Sequence, residues 1–192
     1  MYKALKYLVL ILIILYPVFI FLGLNYLSPA QIGLVLLCLF LARMIFIRRE
    51  RLVQAWPLMV TVLIGAGLAG TAMLLGTTDY LLWYPVAVNS VFFCGFTLSI
   101  VYPPTIIERL ARIREKNLSQ QAVSYTRKVT IAWSVFFMLN ALVASWTVVH
   151  GDLEIWTLYN GFIAYLIIGV IFLAEYIVRQ NLRKRHQPHG ND

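Results

Sequence analysis

A basic segment between two apolar runs holds the residues best suited to bind a charged partner. Residues 103–128 are the only long polar stretch between apolar runs. Guanidinium and ammonium groups bind phosphates and carboxylates. The expected ligands are therefore anionic membrane lipids, or an acidic partner such as an acyl carrier protein or a phosphate-bearing substrate. The candidate binding residues are Arg109, Arg112, Arg114, Arg127 and Lys128.

The start of this segment predicts a short amphipathic helix. Thr105 and Glu108 have the spacing of a capping box, and Ile106, Leu110 and Ile113 then fall on one helical face. Such a helix lies in the headgroup layer of a membrane with its arginines near anionic lipid. A catalytic acid is the alternative role for Glu108, although capping already explains its position.

Polar side chains inside the apolar runs form a second group of candidates, because burying them in a membrane is costly. The asparagines among them either hold helices together by hydrogen bonds or line a polar cavity with neighbouring tyrosines. The last member, a glutamate, lies one turn before Arg179, which predicts an ion pair within one helix. The group consists of Asn89, Asn140, Tyr159, Asn160 and Glu175.

Other chemistries find little support in the sequence. It shows no Ser-His-Asp order, no pair of intramembrane carboxylates and no histidine-rich helix. Cys38 and Cys94 lie inside apolar runs without a nearby cysteine or histidine, so we interpret them as packing residues. The positive charge is clustered at the ends of apolar runs, which argues against nucleic-acid binding. We therefore predict no catalytic set, no metal and no cofactor.

The elements that position these residues are membrane helices. The chain has 192 residues, of which 61% are hydrophobic and 12% charged, whereas soluble domains are about half apolar and a quarter charged. Each of six apolar runs is near the roughly 20 residues needed to cross a bilayer core. They cover residues 7–26, 31–47, 56–75, 81–102, 129–150 and 156–178.

Short connections between these runs predict three antiparallel hairpins, pairing runs one and two, three and four, and five and six. Ser28 and Ser119 are placed to cap helices, and Gly76 and Gly151 to end them. The predicted fold is thus all-α and polytopic, with the short amphipathic helix between helices four and five. It is a single transmembrane domain over residues 1–192, with a cytoplasmic loop at 103–128 and a cytoplasmic tail at 179–192.

The distribution of charge predicts the orientation. With six crossings, all 16 lysines and arginines fall on the side that holds both termini. Cytoplasmic loops of membrane proteins carry this excess of positive charge. We therefore expect both termini and the 103–128 loop in the cytoplasm.

A glycine-rich stretch in the third run matches a dinucleotide-binding pattern only by its letters. Residues 65–70 read GAGLAG, but they lie mid-membrane and not between a strand and a helix. Small residues at every fourth position let helices approach closely. We interpret the stretch as a helix-packing surface.

Three motifs in the second half resemble a known family: PPTIIERLAR at 103–112, YTRKVTIAWSVFF at 125–137 and WTLYNGFIAYLIIGVIFLAEYIVR at 156–179. They resemble an uncharacterised bacterial inner-membrane family found with genes for aryl polyene or xanthomonadin-type pigments. The same half, especially VTIAWSVFFMLNALVASW at 129–146, is more distantly similar to the intracellular septation protein A family. The first resemblance covers about residues 84–179, and helices one to three only loosely.

The resemblance implies a place in lipid, pigment or envelope synthesis but no established chemistry. Some relatives have glycine where this chain has Ala141. The positions marked by the likeness are Glu108, Arg109, Arg112, Tyr125, Arg127, Trp133, Asn140, Tyr159, Asn160 and Glu175.

The sequence-based prediction is a membrane accessory or scaffold protein that is not itself an enzyme. Its basic cytoplasmic face would bind anionic lipid headgroups, cytoplasmic biosynthetic enzymes or an acyl carrier protein. A small lipid or metabolite transporter or flippase, which could work as a homodimer, is the first alternative. A membrane-embedded acyl-handling enzyme that uses Glu108 or Glu175 is the second.

Overall fold

The computed structural model describes residues 11, 15–24, 26–45 and 56–185, leaving the side chains of 43–45, 56–58, 114 and 181–185 undescribed. Every regular element in these ranges is a helix, which confirms the predicted all-α class. Lys3, Lys6, Arg48, Arg49 and Arg51, which support the predicted orientation, lie outside the described residues.

Nine α-helices and one π-helical turn make up the described chain. They are α1 (Tyr16–Gly23), α2 (Pro29–Ile45), α3 (Trp56–Leu75), α4 (Asp79–Leu82), α5 (Tyr84–Val101), α6 (Ile106–Arg114), α7 (Gln120–His150), α8 (Leu153–Leu158), the π-turn (Tyr159–Ile163) and α9 (Ala164–Arg185). The last helix extends past the predicted start of the tail at residue 179, and residues 186–192 of the tail lie outside the description.

Three helical stretches are long and apolar enough to cross a membrane, judged by length and composition. They are Asp79–Val101, Gln120–His150 and Leu153–Gln180. Pro29–Ala42 and Met59–Leu75 are shorter apolar helices. The chain is therefore a membrane protein, whereas the six crossings remain a prediction, in part because much of the first run lies outside the described residues.

The predicted helix ends agree with the structure. Ser28 and Gln31 form a reciprocal capping box at α2, with the Ser28 backbone N–H donating to Gln31 Oε1 at 2.8 Å. Ser119 Oγ accepts a hydrogen bond from the Ala122 N–H, and α7 continues from there without interruption to His150. Gly76 and Gly151 end helices with φ of 66° and 79°, a left-handed conformation that suits glycine.

The helices α2 and α3 pack at a distance that only small residues allow. A Cβ on Gly33 would lie 2.8 Å from the Ala69 carbonyl oxygen, and a Cβ on Gly65 would overlap the Phe40 ring. Gly65 and Ala69 thus have the packing role predicted for them. Gly67 and Gly70 have open space around them instead.

The second closely packed pair is α5 with α7. These helices run antiparallel, since Thr97 bonds Ser134 near one end and Asn89 bonds Asn140 further along. In both of these extensively packed pairs, the sequence between the two helices contains a cluster of basic residues, within 46–55 in the first pair and 102–119 in the second. The three predicted hairpins are not confirmed. A short loop keeps two consecutive helices near each other, but it does not decide which helix each one packs against most extensively.

Candidate functional site

Two helix starts place the predicted cations at one end of the α5/α7 pair. Thr105, itself buried, caps α6 by accepting a hydrogen bond from the Glu108 N–H at 3.3 Å. We name the exposed side chains of Arg109, Arg112, Arg127 and Lys128 the basic surface. The first two come from α6 and the last two from α7, and only five residues separate these helices. The side chain of Arg114 lies outside the described residues.

Arg112 binds the protein itself. Its Nη2 and Nε donate to Glu108 Oε1 at 2.6 and 2.9 Å, and its Nη1 donates to the Lys116 carbonyl at 3.2 Å. The Glu108 side chain is only 7% exposed, against 41% for Arg112. Loss of Arg112 would leave the buried Glu108 carboxylate without its ion-pair partner, which is costly. Arg112 therefore fixes α6 and the turn after it.

The position of Glu108 differs from its predicted place away from the apolar face. It is buried, while Leu110 and Ile113 are 56% and 62% exposed. Ile106 and Ile107 instead pack against the aromatic cluster of Phe96, Trp133 and Phe136, which sets the rotation of the helix. Leu110 and Ile113, two of the three residues of the predicted apolar face of α6, are therefore left uncovered by the described residues.

Arg109 faces a cleft between the end of α5 and α6. The cleft has a volume of about 240 Å³ and is lined by Gly95, Leu98, Ser99, Tyr102, Ile106 and Arg109. Arg109 Nε donates to the Pro104 carbonyl oxygen at 2.8 Å, which holds the stem of the side chain in place. Its two terminal nitrogens make no hydrogen bond to the described part of the chain.

Three of the five predicted intramembrane polar residues form a continuous chain of hydrogen bonds. Tyr159 O–H donates to Asn140 Oδ1 at 2.7 Å, and Asn140 Nδ2 donates to Asn89 Oδ1 at 3.0 Å. Asn89 Nδ2 in turn donates to the Pro85 carbonyl at 2.7 Å. These contacts join α5, α7 and the π-turn. Both amides are buried and bind protein groups, as hydrogen bonds between membrane helices require.

Asn160 lies next to this chain but has different partners. Its Nδ2 donates to the Trp156 carbonyl at 2.9 Å and to Thr147 Oγ1 at 3.2 Å. Its Oδ1 is buried without a hydrogen bond from the described residues. Both Tyr159 and Asn160 lie on the π-turn, a distortion that often occurs at functional positions in helices.

Glu175 makes the predicted ion pair and one further contact. Its carboxylate lies 3.5 Å from Arg179 Nε. Tyr125 O–H, from α7, donates to the Glu175 carbonyl oxygen at 3.3 Å and also lies 3.5 Å from Oε1. Tyr125 and Glu175, two positions marked by the family resemblance, therefore link α7 to α9. Trp133, also marked, is buried and packs against Phe136 and Phe172.

The structure thus separates the predicted site residues into a basic surface, an internal amide chain and a link between α7 and α9. Reasoning from sequence missed the cleft, since Gly95, Leu98 and Ile106 have no unusual spacing. It also missed the hydrogen bond between Thr97 and Ser134, at 2.7 Å. Among the described residues, no group of three or more histidines, cysteines, aspartates or glutamates is placed to hold a metal.

Comparison of the chain with protein-family models, with curated proteins and with solved structures finds no match in any of the three.

Proposed function

We propose that this chain is a multi-pass accessory or scaffold protein of the bacterial inner membrane that serves envelope, lipid or polyene-pigment biogenesis. It has six crossings, and both termini and residues 103–128 are cytoplasmic. Its basic surface recruits acidic cytoplasmic partners, such as biosynthetic enzymes or an acyl carrier protein, beside anionic lipid headgroups.

The observation that carries this proposal is that two cations on α7 are exposed and have no bonding partner among the described residues. Arg127 and Lys128 are exposed and make no hydrogen bond or ion pair with the described residues. Arg112, by contrast, is occupied by Glu108. Two adjacent cations with no structural duty attract anionic groups, and paired potentials of this kind guide protein association.

The length of α7 supports the placement of these cations in water. Its 31 residues make a rod of about 46 Å, whereas the hydrocarbon core is about 30 Å thick. Arg127 and Lys128 lie about two turns from the start of this helix, in the part that can extend beyond the core. The exposed Leu110 and Ile113 on neighbouring α6 suit the headgroup boundary.

The resemblance of residues 84–179 to the pigment-associated family supports the biosynthetic setting. The alternatives receive no comparable support. The transporter was motivated by Asn89, Asn140 and Asn160. Their amide nitrogens all donate to protein groups, and of their amide oxygens only Asn160 Oδ1 has no partner among the described residues. The enzyme candidates Glu108 and Glu175 are likewise bound, to Arg112 and to Arg179 with Tyr125.

The test neutralises the two unoccupied cations together, as Arg127→Gln with Lys128→Gln. Recovery of acyl carrier protein and other acidic cytoplasmic proteins, cross-linked to the chain in its native membrane, should fall about tenfold or more. Each exposed cation near an acidic surface contributes about 1 kcal/mol, and 1.4 kcal/mol is a factor of ten. Quantitative mass spectrometry of the cross-linked material measures the loss, and the yield of lipid and pigment products should fall with it.

A matched control separates position from net charge. Gln120→Glu with Gln121→Glu changes the net charge by the same two units at exposed positions on the same helix. These positions lie about 10 Å along the helix axis from Arg127 and Lys128, and acidic residues suit a first helical turn. Equal losses for both double variants, or no loss for either while the protein still inserts, would overturn the proposal.

A further inference from the structure

The cleft beside Arg109 has the chemistry of a lipid site. We infer that it holds part of one acyl chain of an anionic phospholipid from the surrounding bilayer, with the lipid phosphate bound by the Arg109 guanidinium. This rests on the proposed function only in placing this end of the bundle at the headgroup layer. It adds a bound ligand and assigns Arg109 to that ligand rather than to protein partners.

The lining of the cleft favours a hydrocarbon chain. Leu98 and Ile106 contribute apolar surface, and Gly95 contributes no side chain. The Ser99 hydroxyl is already used, since it donates to the Phe96 carbonyl at 2.8 Å and accepts from the Ile106 N–H at 3.2 Å. The inner part of the cleft therefore presents no polar group in need of a ligand.

The volume limits what can fit. At about 240 Å³, the cleft is smaller than the roughly 300–1,000 Å³ of pockets that enclose a drug-sized ligand. It can take part of one chain while the remainder lies along the protein surface. That surface is apolar, because Leu98 and Val101 on the last turns of α5 are 57% and 62% exposed.

The charge at the mouth favours an anion. Arg109 is anchored through Nε to the Pro104 carbonyl, which leaves the paired terminal nitrogens for a planar, two-point contact with phosphate oxygens. Glu108, the nearest acid along α6, is buried and neutralised by Arg112. Tyr102, 69% exposed at the mouth, is an aromatic side chain of the type enriched at headgroup level.

A bilayer phospholipid fits these features better than a soluble partner does. Both helices that line the cleft carry exposed apolar residues, Leu98 and Val101 on α5 and Leu110 and Ile113 on α6. Apolar surface of this extent around a site is stable when lipid covers it. A bilayer lipid reaches such a cleft by diffusion within the membrane.

The experiment uses the full chain in nanodiscs of equal parts phosphatidylglycerol and phosphatidylcholine with matched acyl chains. Native mass spectrometry then counts the lipids that stay bound after release. The wild-type chain should retain one phosphatidylglycerol in preference to phosphatidylcholine. Arg109→Gln should weaken that retention about tenfold, the loss expected for one charge-assisted contact. Lys116→Gln removes a nearby exposed charge outside the cleft and should leave retention unchanged.

A second pair of variants tests the chain-binding part. Leu98→Trp fills the cleft from an exposed position and should reduce retention of phosphatidylglycerol, while Leu139→Trp makes the same change at an exposed leucine on α7 and should not. Added glycerophosphoglycerol, the headgroup without chains, should not displace the lipid. Size-exclusion chromatography checks that each variant is folded.

Several results would overturn the lipid site: equal loss for Arg109→Gln and Lys116→Gln, equal retention of both lipids, no effect of Leu98→Trp, or displacement by the free headgroup. Displacement of the lipid by acylated acyl carrier protein would equally reject a bilayer lipid as the occupant. The proposed function fails separately, through the Arg127 and Lys128 variants. If one of the two proposals fails its test, the test of the other can still be interpreted.

Discussion

The two closely packed helix pairs hold together in different ways. Between α2 and α3, Gly33 and Gly65 bring the helices close, and the buried residues around them are apolar. Between α5 and α7, hydrogen bonds join Asn89 to Asn140 and Thr97 to Ser134. Stacked aromatic rings also contribute, with the ring centroids of Phe92 and Phe137 5.1 Å apart.

This difference follows the distribution of candidate functional residues. The basic surface, the cleft and the amide chain all belong to the α5/α7 half. Without water as a competing solvent, membrane helices associate through close packing or through hydrogen bonds. Close packing depends on shape alone, whereas hydrogen bonds require defined donors and acceptors. The polar pair is therefore the one whose register is fixed most specifically, which suits a scaffold for a binding site.

The largest expected effect comes from closing the α2/α3 approach. Gly33→Ala should destabilise the protein by about 2–3 kcal/mol, because its Cβ would meet backbone atoms of Ala69 and Met73 that cannot rotate away. Unfolding of the purified chain in mixed micelles measures the change. Gly67→Ala, in open space, should instead be neutral or stabilising by up to about 1 kcal/mol. If Gly33→Ala behaved like Gly67→Ala, the close approach would not be what holds this pair.

The next effect comes from the centre of the amide chain. Asn140→Leu should cost about 1–2 kcal/mol, since it removes two hydrogen bonds and leaves Asn89 and Tyr159 without their partner. Thermal unfolding in the same micelles measures it. Ser145→Ala on the same helix, where the hydroxyl bonds only the Ala141 carbonyl, is the control and should change stability little. An equal or smaller cost for Asn140→Leu would show that shape, not hydrogen bonding, holds α5 to α7.

The smallest expected effect is at the π-turn, where Tyr159 joins the amide chain. Tyr159→Phe removes one hydrogen bond and keeps the ring, so we expect a loss of about 0.6 kcal/mol, the average for such bonds between membrane helices. Repeating the change in an Asn140→Leu background measures the coupling between the two side chains. Tyr176→Phe, at an exposed ring on α9, is the control. Additive effects of Tyr159→Phe and Asn140→Leu would mean that the amide chain does not act as a unit.

The sequence predicted features that depend on residues close together in the chain. Each of these features joins positions within four residues of each other. They are the caps at Ser28, Thr105 and Ser119, the glycine at the end of α7, and the ion pair between Glu175 and Arg179. Such contacts depend only on helical geometry, so spacing is enough to identify them.

Features that depend on how the helices face each other could not be predicted in the same way. The spacing around Thr105 predicted the helix but not its rotation, and the packing of Ile106 and Ile107 decided that Glu108 would be buried. The three asparagines were identified as polar residues in apolar runs. Only the packing of α5 against α7 shows that Asn89 meets Asn140 while Asn160 bonds elsewhere.

By itself, the amino-acid sequence determined that the chain is helical and apolar, where several helices begin and end, and where its positive charge concentrates. The tertiary structure alone decided which helices pair, which of the cations are occupied and where a cleft opens. The physical reason is that a helix cap joins residues within one turn, and an apolar run is continuous along the sequence. Which side chains meet across a helix pair depends instead on residues far apart in the sequence. Asn89 and Asn140, for example, are 51 positions apart.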